Sequence, residues 1–278
     1  MTSSSRWVRR RRLLVFFALA FVFAWITLPL AVFGVMEQVE FQPYGPLLAA
    51  LIVVPLTEGM AGVRRFGARL VRWRVGALLW AFALVIPVSV HLVVLAINSG
   101  FGGEAVNLTE LSWSGLLGAF ALRLVLPLDG PFGEEPGWRG YAVPELQRRR
   151  SPLQAAAILG AIVAVWHAPL LFGNGSLDSA VELATTFVIT FVYVWLFNRT
   201  GGSVLLVLVF HSAEGIVQES AFGAAGAELV RMAWISLALW TAVALSVIVF
   251  DRGAWRKPVD SSAAGERSAP VVSAGAAS

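Results

Sequence analysis

Cysteine is absent from this chain of 278 residues, and its absence removes several kinds of chemistry at once. Disulfides, thiolate nucleophiles and thiolate metal ligands all need the side chain that is missing. Charge is also scarce, because only 14% of the residues are charged and Lys257 is the single lysine among 21 basic residues. Any nucleophile must therefore be a hydroxyl, a carboxylate or an activated water.

Long hydrophobic runs, in contrast, are abundant. Hydrophobic residues make up 58% of the chain, and several runs approach or exceed the roughly 18 to 20 residues that cross a bilayer. We therefore predict an all-α polytopic membrane bundle of about eight transmembrane helices. The predicted spans are about 13–35, 46–63, 75–97, 111–128, 153–172, 181–197, 203–217 and 232–250.

Clusters of arginine beside these runs predict the orientation of the bundle. Five arginines precede the first run, five follow the second, and three follow the fourth. By the positive-inside rule, both termini are predicted to be cytoplasmic. Clusters of this kind are topology signals. We therefore expect membrane lipid as a partner and do not expect nucleic acid. The excess of arginine over lysine is typical of GC-rich genomes, and we expect a prokaryotic cell membrane.

The domain organisation follows from the same pattern. Residues 1–12 form a basic cytoplasmic arm, residues 13–250 a single transmembrane domain, and residues 251–278 a small, polar tail that we expect to be disordered. Internal repeats are not found, although transporters are often built from inverted repeats. A transporter is therefore supported only by the buried charges and interrupted helices described next.

Two adjacent acids interrupt the apolar background in the stretch F-G-E-E-P-G-W-R. A carboxylate at membrane depth costs a few kcal/mol, so such acids are by default paired or functional. Glu135 and Arg139 are four residues apart with the acid first, the favourable order for a pair on one helix face. Glu134 lies about 100° further round, so the same arginine cannot satisfy both acids. Glu134 is therefore a candidate general base.

The fourth apolar run is interrupted by helix breakers. Pro127, Gly130, Pro131, Pro136 and Gly137 all fall in or just after it. Prolines are tolerated at membrane depth where neighbouring groups or a water-filled cavity satisfy the freed carbonyls. We predict a broken fourth helix that lines a polar cavity.

Two histidines on later spans lie at a depth where they could meet Glu134. Glu134 is fourteen residues before Arg148 and His167 is fifteen residues after Pro152. Both therefore lie roughly 20 Å from the same cytoplasmic turn, on antiparallel helices. His211 lies about 14 Å from its own cytoplasmic end. The spacing permits one shared cavity without requiring it.

These residues carry a resemblance to a known family. E-E-P-G-W-R resembles the E-E-x-x-x-R motif of the CAAX-protease and bacteriocin-processing family of intramembrane endopeptidases. W-H-A-P around His167 and F-H-S-A-E-G from Phe210 resemble its second and third motifs, F-x-x-x-H and H-x-x-x-N/D. Val163 stands where the phenylalanine is usual, and Gly215 where the asparagine or aspartate is usual. The resemblance covers a protease-like core of about residues 111–219.

The resemblance implies an endopeptidase similar to the type II CAAX prenyl enzymes, which acts on a membrane-associated and possibly lipidated peptide or protein. Glu134 and His167 would activate water, His211 would stabilise the oxyanion, and Glu135 with Arg139 would support the site. Glu134, His167 and His211 could also hold a divalent metal such as zinc, with a position open for water. A metal-free mechanism is equally open.

Gly215 leaves several alternatives open, because it has no side chain to donate. Water, Ser212 or Gln218 could substitute, catalysis could be weakened, or the protein could be a silent member that acts as an immunity or scaffold protein. His91 is expected to pack or to bond between helices. Arg123 and Glu58 are isolated charges, and either their mutual pairing or the lining of the same cavity is open.

Overall fold

Helices account for every regular element in the part of the chain that the computed structural model describes, residues 11–35, 41–103, 112–128, 130–171, 177–216, 226–256 and 258. This confirms the predicted all-α bundle. In chain order the helices are α1 (Arg12–Ala24), α2 (Leu28–Val32), α3 (Gly45–Leu70), α4 (Ala77–Gly100), α5 (Trp113–Arg123), α6 (Pro131–Gly137), α7 (Val143–Gln147), α8 (Pro152–Trp166), α9 (Leu177–Arg199), α10 (Val204–Glu214) and α11 (Ala227–Phe250). Residues Arg252–Trp255 form a final 3₁₀ turn.

Four of the described helices are long and apolar enough to cross a membrane. They are α3, α4, the Ala180–Arg199 part of α9, and α11. The apolar helices α1, α8 and α10 are shorter, between 10 and 17 residues. The chain is thus an integral membrane protein, but the predicted number of eight spans is not confirmed. Most of the predicted N-terminal arm and C-terminal tail lies outside the described residues.

The fourth apolar run is broken where the sequence predicts. Helix α5 ends at Arg123, the chain turns through Gly130 with φ 52°, and helix resumes at Pro131. A π-turn, Trp138–Ala142, then joins α6 to α7. No residue of α5 is buried, whereas α6, the π-turn and α7 are buried almost throughout. The break therefore separates an exposed helix from the buried central segment that carries both acids.

Small residues let this central segment approach α3 closely. Gly133 and Gly137 lie one helical turn apart, and a Cβ on Gly137 would overlap the backbone carbonyl of Pro46. A Cβ on Gly133 would lie 2.8 Å from the carbonyl oxygen of Pro43. Small residues at this spacing allow helix backbones to pack without intervening side chains, as is common inside membranes. The depth and rotation of α6, and hence of Glu134, are fixed by this contact.

Side-chain caps set the starts of α8, which leads to His167, and of α10, which carries His211. Ser151 accepts a hydrogen bond from the backbone of Gln154, whose side chain accepts one from the backbone of Ser151, a capping box at the start of α8. Ser203 caps α10 and donates from its hydroxyl to the carbonyl of Arg72, 2.6 Å away. Gly202, with φ 93°, makes the tight turn before it possible. Gln147, before α8, donates to Asn198, before α10, at 2.9 Å, so both helices start at one common end of the bundle.

Candidate active site

A cavity of about 440 Å³ lies within the bundle and brings the predicted site residues together. Glu134, His167 and His211 all line it, although they come from three separate helical segments. Polar and apolar groups share its walls. Gly215 lines the cavity through its backbone. Further lining side chains are those of His91, Arg139, Leu170, Leu171, Leu183, Thr190, Tyr193, Glu214, Leu229 and Met232.

Glu135 is the paired acid, as its spacing predicts. It is 0% exposed, and its Oε1 accepts hydrogen bonds from Arg139 Nη1 at 2.9 Å and from His211 Nδ1 at 2.8 Å. The Arg139 guanidinium also lies over the ring of Tyr193, 4.3 Å from its centroid. Two donors therefore hold this carboxylate in place, and it ties α10 to the central segment.

Glu134 is placed differently from its neighbour. It is 5% exposed, lines the cavity, and its Oε2 lies 4.0 Å from Nε2 of His167. That distance is too long for a direct hydrogen bond but suits two groups that share a bridging water. The acid predicted to be free is thus the one that faces the cavity beside a histidine.

The ring of His167 is held in one orientation by the end of α8. Its Nδ1 donates to the carbonyl of Val163, 2.9 Å away, because a carbonyl can only accept. In the neutral ring, Nε2 then carries the lone pair and faces Glu134. Val163 thus contributes its backbone carbonyl to the site. The rings of Phe41 and Trp166 pack against the imidazole, with centroids 5.4 and 4.7 Å away.

Helix α1 braces this end of α8 from outside the cavity. Trp25 donates from Nε1 to the carbonyl of Trp166 at 2.9 Å, and Trp166 donates in turn to the carbonyl of Ala20 at 3.2 Å. Trp166 is fully buried. These bonds satisfy two indole N–H groups and fix the backbone that immediately precedes His167.

The tautomer of His211 is set by its bond to Glu135. A carboxylate that also receives a guanidinium accepts only, so Nδ1 of His211 carries the proton. In the neutral ring, Nε2 is then an acceptor, and it can donate to an oxyanion only when the imidazole is charged. The ring packs edge-on against Tyr193, with centroids 5.3 Å apart.

The isolated residues have the following places in the structure. His91 is buried, as a packing residue would be, and it also lines the cavity with the three site residues. Glu58 does not pair with Arg123 and does not line this cavity. Its carboxylate instead lies 2.6 Å from Arg65 and 4.0 Å from Arg12, since all three face the end of the bundle that carries the arginine clusters.

Ser212, one of the side chains suggested as a substitute at position 215, does not line the cavity. Ser212 is fully buried. Gln218 lies outside the described residues. Gly215 itself ends α10 and its N–H donates to the carbonyl of His211, 3.1 Å away. The side chain that comes closest to the vacant Cβ position of Gly215 is Arg123.

A metal site is not formed by the described residues. No group of three or more His, Asp or Glu side chains among them is placed to hold an ion. Oε2 of Glu134 and Nε2 of His167 are 4.0 Å apart, and the bond from Nδ1 of His211 to Glu135 leaves Nε2 of that ring as its possible ligand atom. The described side chains are not gathered around one ion position, and the proposed mechanism uses only groups of the chain.

Sequence reasoning missed the aromatic support of the site. Tyr193 contacts both Arg139 and His211, and Phe41 contacts His167, yet neither aromatic lies in a motif. Glu214 was also missed, although it lines the cavity next to Gly215. Their only signal in the sequence is a polar or aromatic side chain near an apolar run, and that signal is shared by many packing residues.

Comparison with known proteins is consistent with this site. Residues 116–217 match the family model described as type II CAAX prenyl endopeptidase Rce1-like. A curated relative from Methanococcus maripaludis, named CAAX prenyl protease 2, is 26% identical over 182 residues, covering 61% of this chain. The chain spans 64% of the length of that relative. The resemblance carried by the three motifs is confirmed, and the matched range includes Glu134, His167 and His211.

Proposed function

We propose that this protein is an intramembrane endopeptidase that hydrolyses a membrane-associated peptide. The observation that carries the proposal is the difference between two adjacent acids. Glu135 is locked by Arg139 and His211, whereas Glu134 faces the cavity with its carboxylate 4.0 Å from Nε2 of His167. An unpaired base beside an acceptor nitrogen, in a largely buried cavity, is an arrangement that activates water.

In the proposed mechanism, a water lies between Glu134 and His167. The Glu134 carboxylate accepts one proton of the water, and the lone pair on His167 Nε2 accepts a hydrogen bond from the other. The oxygen attacks the scissile carbonyl carbon, the C=O π electrons move to oxygen, and an oxyanion forms. When the tetrahedral intermediate collapses, the C–N bond breaks and protonated Glu134 returns its proton to the leaving amine.

The cavity walls suit an extended peptide with apolar side chains. Leu170, Leu171, Leu183, Leu229 and Met232 provide apolar lining next to the acid and the histidines. Apolar walls bind aliphatic or lipid-modified groups by the hydrophobic effect, while a few polar groups orient the peptide. The substrate class proposed is therefore a membrane-associated peptide or protein, including a lipidated C-terminal segment.

The proposed orientation places the arginine-rich ends of the helices in the cytoplasm. Both chain termini then lie inside, in agreement with the positive-inside rule. Glu134 and His167 lie on segments that meet at the turn after Arg149, and both are roughly 20 Å from that turn, so the proposed site lies within the depth of the bilayer. A peptide anchored in the membrane could reach it from within the bilayer.

The test compares C-termini of membrane proteins in cells that express wild-type protein, Glu134→Gln or Glu58→Gln. Glu58→Gln is the matched control, because it removes a carboxylate that pairs with Arg65 and does not line the cavity. We expect one or more new C-termini with wild type and Glu58→Gln, and none with Glu134→Gln at equal expression. Identical C-termini in all three samples would contradict the proposed function.

A further inference from the structure

Position 215 has no side chain, and a guanidinium occupies the space next to it. A Cβ built on Gly215 would overlap Nη2 of Arg123 and would lie 2.6 Å from its Cζ and 3.1 Å from its Nε. Overlap of this kind means that any side chain at 215 would displace the arginine. The glycine and the position of Arg123 are therefore linked.

The guanidinium lies on the same side of α10 as His211. Gly215 is the C-cap of α10, one turn after His211, so side chains at both positions project from the same face. The N–H of Gly215 donates to the carbonyl of His211, and both residues line the cavity. The guanidinium of Arg123 therefore lies directly behind the part of the cavity wall that Gly215 forms.

The broken fourth helix delivers this charge. Arg123 is the last residue of α5, and the turn that follows it leads into the segment that carries Glu134. A cation at membrane depth is costly and usually marks a functional position. Arg123 lies where α5 contacts α10, beside the proposed site of hydrolysis.

The chemistry of the site leaves a role for such a cation. Because Nδ1 of His211 donates to Glu135, the neutral ring presents an acceptor at Nε2, and an oxyanion needs a donor or a positive charge. Arginine remains charged in proteins and carries five N–H donors. Arg139 lines the cavity, where it donates to Glu135 and lies over the ring of Tyr193.

We propose that Arg123 stabilises the oxyanion from the space that Gly215 leaves open, and that it takes the place of a donor side chain at position 215. The inference rests on the proposed peptidase function and assigns a residue that none of the three motifs contains. Its effect is electrostatic, and it is strong because the surroundings have a low dielectric constant.

The test uses purified full-length protein in detergent and an internally quenched peptide with a farnesylated C-terminal cysteine, two aliphatic residues and a final residue. For Arg123→Gln we expect kcat to fall about 10- to 100-fold with KM nearly unchanged, since the lost interaction forms only in the transition state. Arg123→Lys should retain more activity than Arg123→Gln. Arg149→Gln, an exposed arginine outside the cavity, is the matched control and should not change kcat.

Two further variants separate this role from a structural one. Gly215→Asn alone should lower kcat, because the new side chain displaces the guanidinium. In the Arg123→Ala background, the same Gly215→Asn change should raise kcat, because an amide donor then fills the vacated space. Thermal unfolding of each variant shows whether the fold is retained.

The outcomes distinguish failure of the role proposed for Arg123 from failure of the proposed peptidase function. A wild-type protein that cleaves the peptide, with Arg123→Gln equally active, would overturn the role of Arg123 and leave the peptidase function standing. Failure of Gly215→Asn to raise kcat in the Arg123→Ala background would also overturn it. A wild-type protein that cleaves neither this peptide nor any membrane protein in cells would overturn both.

Discussion

At the scale of single residues, the site depends on how two neighbouring carboxylates are treated. Adjacent positions on a helix point about 100° apart, so Glu134 and Glu135 face different surroundings although they share a backbone. Glu135 points to Arg139 and His211 and is fully buried, while Glu134 points to the cavity. One acid therefore holds the helices together, and the other is available for proton transfer.

Replacement of Arg139 tests the structural half of this division. Arg139→Gln leaves the buried Glu135 carboxylate with His211 as its remaining hydrogen-bond partner, and removing one member of a buried pair costs about 3–5 kcal/mol. We expect a clear drop in unfolding temperature in detergent and loss of peptidase activity. Arg65→Gln breaks the more exposed pair with Glu58 and should cost less than about 1 kcal/mol. Equal unfolding temperatures for the two variants would contradict the assignment.

At the scale of helices, the central segment from α6 to α7 organises the site. Its glycines pack against the backbone at the start of α3, and its π-turn lies between two short helical stretches. Its Glu135 accepts a hydrogen bond from His211 of α10. π-turns inside α-helices shift the side chains that follow them and occur often at functional sites. The position of Glu134 is thus decided by backbone contacts on an adjoining face of its helix.

An alanine at Gly137 should therefore shift Glu134 although residue 137 does not line the cavity. The added Cβ overlaps the carbonyl of Pro46, and overpacking of this kind costs about 1–3 kcal/mol or more. We expect Gly137→Ala to lower both the unfolding temperature and the peptidase rate. Gly118→Ala, on the exposed face of α5 with open space around it, is the control and should leave both unchanged or raise stability slightly.

Local spacing predicted some of these contacts and not others. The Glu135–Arg139 pair follows from a separation of four residues, and the break in the fourth run follows from its prolines and glycines. The bond from His211 to Glu135 joins residues 76 apart, and the bond from Trp25 to Trp166 joins residues 141 apart. Sequence periodicity does not encode which distant faces meet, so Phe41, Tyr193 and the position of Arg123 became visible only in the folded chain.

At the scale of the whole molecule, the distribution of arginine gives the bundle a direction. Arginines follow α3, α7 and α11, an arginine ends α9, and described residues such as Arg149 are exposed there. The end of α4 near Phe101 lies at the opposite end of the bundle, at the far end of one candidate span. The number of spans was predicted less well, because an apolar run does not reveal that α8 and α10 end early.

The absence of cysteine makes this orientation directly measurable. Single cysteines can be introduced at Arg149 and at Phe101, which is 70% exposed, without any background thiol. A membrane-impermeant maleimide should label Phe101→Cys in intact cells and Arg149→Cys only after permeabilisation. Labelling of Arg149→Cys in intact cells would place the arginine-rich face outside, against the positive-inside rule.

The most direct test of the central claim, that Glu134 and His167 activate a water, follows the oxygen atom. Purified protein in excess over the farnesylated peptide is allowed a single turnover in ¹⁸O-labelled water. The mass of the product that carries the new C-terminus is then measured by mass spectrometry. Direct attack by water predicts one ¹⁸O in the new C-terminal carboxyl, and no product with Glu134→Gln. An unlabelled product carboxyl, with ¹⁸O recovered instead in Glu134, would show attack by the carboxylate itself and contradict the account.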